Sequence, residues 1–136
     1  MIENSERLDL VLLIDDDELV NILNTILLRK SGIVDKVESA NSGEKGLEIL
    51  AQYERENKWP SLIFVDINMP GLTGWEFIEK FRERFSTFKQ QCTICMLSSS
   101  LDPEDQEKAA KSDLVDFYLS KPLTIERVQT LVAKPI

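Results

Sequence analysis

Residues 10–14 read LVLLI, an apolar run with no polar interruption. A strand with one wet face alternates apolar and polar side chains, whereas an unbroken run fits a strand covered on both faces. The segments SLIFVD (61–66) and TICMLS (93–98) have the same character. A sheet built from such strands needs helices on both sides, so the sequence between the runs must supply them.

After the first run, Leu19, Leu23, Ile26, Leu27 and Lys30 recur at helical spacing, and Val20 and Ile22 widen the stripe. Gly32 suits the end of that helix. A short, more polar strand is expected at about 36–40, followed by a helix capped by Asn41 or Ser42. That helix runs through Leu47, Leu50 and Tyr53 to about residue 57. The turn INMPGLTG leads into a third helix with Trp75, Ile78 and Phe81 on one side. Asp102 and Pro103 make an N-cap and first-turn pair for a fourth helix, to about residue 112. VDFYLS (115–120) is a last short strand, and 124–132 a final helix. Five strands alternating with five helices imply an α/β fold with a doubly wound parallel sheet. A single domain over 1–136 is expected, with its core at about 8–132 and no output domain after the last helix.

Composition narrows the functional classes. The chain has 136 residues, of which 43% are hydrophobic, enough for one core. Its net charge of −8 opposes general affinity for nucleic acid or anionic membrane, because both need a basic patch. No apolar run reaches membrane-span length, and MIENSERLDL lacks the layout of a signal peptide. A cytoplasmic location is therefore expected. Histidine is absent, which removes Ser-His-Asp hydrolysis, His-ligated zinc and an internal phosphohistidine. Cys92 and Cys95 have C-x-x-C spacing, but in a strand residues three apart point to opposite faces. Two reduced strand cysteines are the expectation.

In an open parallel sheet, ligands bind outside the carboxyl ends of the strands. Polar residues gather at those ends. The first long run ends in Asp15, Asp16 and Asp17, the second in Asp66, the third in Ser98, Ser99 and Ser100, and the last strand in Lys121. Two carboxylates about 4 Å apart repel by about 4 kcal/mol at an effective dielectric near 20. Lys121 alone supplies one positive charge, so a divalent cation is the missing partner. All-oxygen ligands favour magnesium, calcium or manganese over zinc, and magnesium commonly sits beside a phosphate.

With these pieces in place, the sequence resembles a response-regulator receiver domain, the CheY-like family. The matching segments are VLLIDDD, LIFVDINMPGLTGWEFI, CMLSSS and DFYLSKPLT. The resemblance implies a flavodoxin-like (βα)5 fold with strand order 2-1-3-4-5. It implies that Asp66 accepts a phosphoryl group and that Asp15 and Asp16 form the acidic pair. Magnesium, with manganese as a substitute, would be held by Asp15, Asp16, Asp66 and the backbone carbonyl of Asn68. Lys121 would pair with the phosphoryl group, and a cis bond is implied at Lys121-Pro122. Ser98 and Tyr118 match the switch hydroxyl and switch aromatic, which reshape the face of the fourth helix, fifth strand and fifth helix. Ser100 falls where side chains influence hydrolysis of the phospho-aspartate. Asp17 stands outside the pair and is expected to cap the first helix.

The partners implied are a sensor histidine kinase or histidine-phosphotransfer protein and a protein target. Direct contact with nucleic acid or membrane is not expected. The chain would be a monomer or a phosphorylation-dependent dimer, and a signalling acceptor rather than an enzyme. A phosphorelay intermediate and a receiver cut from a hybrid kinase share the same residues. A haloacid-dehalogenase-type phosphatase using Asp15 and Asp17 is a remoter alternative, since Glu18-Leu19 departs from that family's pattern.

Overall fold

The computed structural model describes residues 7–99 and 102–132. Its strands are β1 (Leu8–Ile14), β2 (Val34–Ala40), β3 (Leu62–Asp66), β4 (Thr93–Ser98) and β5 (Phe117–Ser120). Its α-helices are α1 (Glu18–Ser31), α2 (Gly43–Arg55), α3 (Gly74–Phe85), α4 (Pro103–Lys111) and α5 (Ile125–Val132). All the strand pairs are parallel, in the order β2-β1-β3-β4-β5. The order reverses between β1 and β3, which opens a crevice at their carboxyl ends.

The unbroken apolar runs do lie between two layers. Leu10, Leu12 and Ile14 of β1 face a cluster completed by Leu50 and Tyr53 of α2 and Phe77, Ile78 and Phe81 of α3. Val11 and Leu13 face the opposite cluster, with Leu28 of α1 and Val128 and Leu131 of α5. Cys92 and Cys95 divide between the two clusters and are free thiols. Burial pushes the Cys92 thiol up to about 12, away from the reactive thiolate form.

The caps follow the sequence. Asp17 accepts from the Leu19 N–H at 3.0 Å, Ser42 from Lys45 at 3.1 Å, and Asp102 from Glu104 at 2.9 Å. Gly32 closes α1 with φ +76°, a left-handed conformation open to glycine without penalty. α3 adds a capping box, with Thr73 and Glu76 each bonding the other's backbone N–H.

Three features differ from the sequence reading. First, β5 begins at Phe117, because the Ser112 hydroxyl accepts from the N–H groups of Leu114 and Val115 and holds that segment in a turn. Second, a 3-10 segment, Ser86–Gln91, continues beyond α3 and carries Phe88 into the core. Phe88 stacks on Phe85 at 5.8 Å and on Trp59 at 4.5 Å between ring centroids.

Third, most of the apolar stripe of α1 does not face the sheet, although Leu27 packs against the core. Leu19, Ile22, Leu23 and Ile26 are 61%, 54%, 56% and 46% exposed. The buried residues of α1 are Asn21 and Leu28. The helix is apolar around most of its circumference, so the stripe alone does not select the packing face.

Candidate functional site

β1 and β3 end side by side, with Ile14 paired to Val65. The residue after Ile14 is Asp15, and β3 ends on Asp66, so the register delivers both carboxylates to one corner. Asp15, Asp16 and Asp66 each offer an oxygen, and these oxygens lie within 4.8 Å of one another. Asp15 and Asp66 are buried and Asp16 is exposed. Asp17 is outside the cluster, as its side chain is engaged at the α1 N-cap.

Lys121 closes the corner from the end of β5. Its Nζ lies 2.8 Å from Asp15 Oδ2 and 3.4 Å from Asp66 Oδ1. Its own backbone N–H donates to the Ser98 carbonyl at 2.8 Å, which ties the loop after β5 to the end of β4. The Lys121-Pro122 peptide is cis.

The electrostatics follow from this packing. Burial and the Asp15 charge push the Asp66 carboxyl up to about 6, while Lys121 and the Asn68 N–H pull it down. Burial lowers the pKa of Lys121, but its bond to Asp15 and the charge of Asp66 outweigh that and raise it. One ammonium against three carboxylates leaves the corner undercompensated. The donor set is all oxygen, partly buried and open on the Asp16 side, which fits a small hard cation.

The segment after β3 is built for close approach. A Cβ on Gly74 would lie 2.6 Å from the Asp66 carbonyl oxygen and 2.7 Å from Ile67 Cα. Only glycine lets the start of α3 rest directly on the strand end. The Asn68 N–H donates to Asp66 Oδ1 at 3.4 Å, and the Asn68 side chain is exposed.

Ser98 is buried at the end of β4, one residue past Leu97, which pairs with Asp66. Tyr118 is half-buried on β5 and packs against the core cluster shared with α3. Its hydroxyl is buried and has no partner among the described residues. Ser100, named in the sequence reading, lies outside the described residues.

Two contributors were not singled out from sequence. Asn21, buried on α1, donates from its amide to the carbonyls of Asp15 and Ala40. Its signal is an asparagine set among apolar helix positions. Trp75 was assigned only to helix packing, yet its indole N–H donates to Asp105 of α4 at 2.9 Å. Lys108 lies over the same ring, 5.1 Å from its centroid.

No helix among the described residues is long and apolar enough to cross a membrane. The sequence model of the response regulator receiver domain matches residues 11–133. A two component response regulator from Cytophaga hutchinsonii, solved by crystallography, is 46% identical. It aligns over 93% of this chain and 97% of its own, with a TM-score of 0.87. The Vibrio cholerae chemotaxis protein CheY4 is 29% identical over 90% of this chain and 95% of its own, with a TM-score of 0.71. The Escherichia coli nitrate/nitrite response regulator protein NarL is 32% identical over 116 residues, 85% of this chain and 49% of NarL. The chain thus spans half or less of the first curated relatives it matches. The strand order, the acidic corner and these likenesses lead to one conclusion: the chain belongs to the receiver-domain family of two-component response regulators.

Proposed function

We propose that this receiver, a single domain over 1–136, takes a phosphoryl group onto Asp66 from a phosphohistidine on a partner protein. The observation that carries the reading is the meeting of Asp15, Asp16 and Asp66 within 4.8 Å beside one lysine. Asp15, Asp16, Asp66 and the carbonyl of Asn68 would hold magnesium, or manganese in its place. When bound, the cation supplies positive charge against the phosphoryl oxygens.

The chain's own groups do the rest. An Asp66 carboxylate oxygen attacks phosphorus, the bond from phosphorus to the donor imidazole breaks, and its electron pair stays on the imidazole. The carboxylate must be ionised to attack. A carboxyl near 6 is largely so at neutral pH, and Lys121 favours that form. Lys121 then pairs with the phosphoryl oxygens, and the N–H groups after β3 lie close by. Ser98 bonds a phosphoryl oxygen, and Tyr118 moves into the space released. The new charge is thereby passed to the surface of α4, β5 and α5, where a protein target reads it. The chain works as a cytoplasmic signalling acceptor, as a monomer or a phosphorylation-dependent dimer.

Incubation with acetyl phosphate and magnesium tests this. Intact-mass and peptide spectra should place one phosphoryl group on Asp66, with none on Asp66→Asn. Labelling that survives Asp66→Asn and is lost in Asp15→Asn would move the nucleophile to Asp15 and overturn the assignment.

A further inference from the structure

Asn21 is 2% exposed, on the face of α1 that meets the sheet. Its Nδ2 donates to the Asp15 carbonyl at 2.9 Å and to the Ala40 carbonyl at 3.3 Å. Both neighbours are acceptors, so the amide can face them only with its NH2 group. Its Oδ1 is buried and has no partner among the described residues. The Asp15 N–H also donates to the Ala40 carbonyl, at 3.1 Å. One side chain therefore joins the end of β1, the end of β2 and the first turns of α1.

The amide satisfies two buried carbonyls and leaves one buried acceptor of its own unmet. Asparagine is a weak helix former, and a buried oxygen without a donor is unfavourable. Leucine has the same number of side-chain heavy atoms and the same branching, but it is bulkier and offers no donor to either carbonyl. What asparagine adds is its pair of donors. The carbonyl at 2.9 Å belongs to the peptide between Asp15 and Asp16. The plane of that peptide sets the directions in which the two side chains leave the backbone. Three carboxylates within 4.8 Å repel one another, and the turn after β1 is held against that by the Asp17 N–H on Asp15 Oδ1 at 2.9 Å and by the Asn21 amide on the Asp15 carbonyl.

We propose that Asn21 is a positioning residue: its amide holds the Asp15–Asp16 peptide so that both carboxylates address one cation site. The proposal rests on the reading of the corner as a magnesium site. It concerns how the ligands are held and adds no ligand. Groups that orient metal ligands in this way commonly change affinity by about 10–100-fold when removed.

The test uses the full chain as wild type, Asn21→Leu and Asn21→Ser. Isothermal titration with magnesium chloride gives the affinity, and urea unfolding in EDTA gives the metal-free stability. Asn21→Leu is expected to bind magnesium about tenfold more weakly or worse, and its unfolding midpoint in EDTA to fall as the Asp15 carbonyl loses its donor. A purely structural asparagine would lower metal-free stability in the same way and leave the magnesium affinity unchanged. Magnesium affinity within about twofold of wild type in the folded variants overturns the proposal. If Asn21→Leu does not fold, the titration of Asn21→Ser decides by the same limits. A wild-type chain that binds no magnesium overturns the metal reading, and this proposal with it. Normal binding by wild type and variants alike removes only the role of Asn21.

Discussion

α1 and α3 carry similar apolar content and use it in opposite ways. Phe77, Ile78, Phe81 and Phe85 of α3 are all buried, and their rings continue through Phe88 to Trp59. Leu19, Ile22, Leu23 and Ile26 of α1 face outward, and the helix turns an asparagine toward the sheet. α3 is oriented by hydrophobic burial. α1 buries Leu28, with Leu27 packed beside it, and on the same inward side sets Asn21 against the strand ends. Apolar packing thus fills the inward face of one helix, while the other shares its inward face between packing and the site. Contiguous exposed apolar surface of this kind typically marks a place where other molecules bind.

The contrast can be broken most forcefully at α3. Phe81→Ala empties a wholly buried position, and a loss of about 3–5 kcal/mol is expected in urea unfolding. Gly74→Ala should come next. Its Cβ would meet strand backbone rather than a mobile side chain, so about 1–3 kcal/mol is expected, together with slower labelling of Asp66. Preserved stability and labelling in Gly74→Ala would show that the strand end yields.

A smaller effect is expected from pH. The folded-state pKa of Asp66 is raised, from an ordinary 3.8 to about 6. The folded chain therefore holds that proton more tightly than the unfolded chain. Its contribution to stability is fully present below about pH 4 and is lost as pH rises through about 6. In EDTA, the melting temperature of Asp66→Asn should fall less than that of wild type across this window. Parallel profiles would contradict the buried, acid-flanked Asp66. The smallest effect belongs to the outward face of α1, where Ile22→Ser should change unfolding free energy by no more than about 0.5 kcal/mol. A loss as large as that of Phe81→Ala would mean that the stripe is packed after all.

Much of this was legible in the sequence. An unbroken apolar run ending on a polar residue fixes both the burial of a strand and its carboxyl end, so Asp15, Asp66, Ser98 and Lys121 could be placed at one edge before any coordinates. Caps are local, and Asp17, Ser42, Asp102 and Gly32 do what their types favour. The inward face of α1 was not legible, because Val20, Leu27 and Leu28 continue the apolar surface past any stripe edge. The face that is buried meets its partners across separate elements, Leu28 in the core cluster and Asn21 on Asp15 and Ala40. The 3-10 segment was hidden for a similar reason. STFKQQ is polar apart from one ring, and Phe88 stacks on Trp59, far from it in the chain, as well as on nearby Phe85.

Magnesium dependence of folding stability tests the central claim most directly. If the three carboxylates form one cation site, the melting temperature of the wild-type chain should climb steadily from EDTA into millimolar magnesium. Binding at a hundred times the dissociation constant contributes about 2.7 kcal/mol. The climb should be largely lost in Asp16→Asn. A melting temperature indifferent to magnesium over that whole range, in wild type as in Asp16→Asn, would contradict the account.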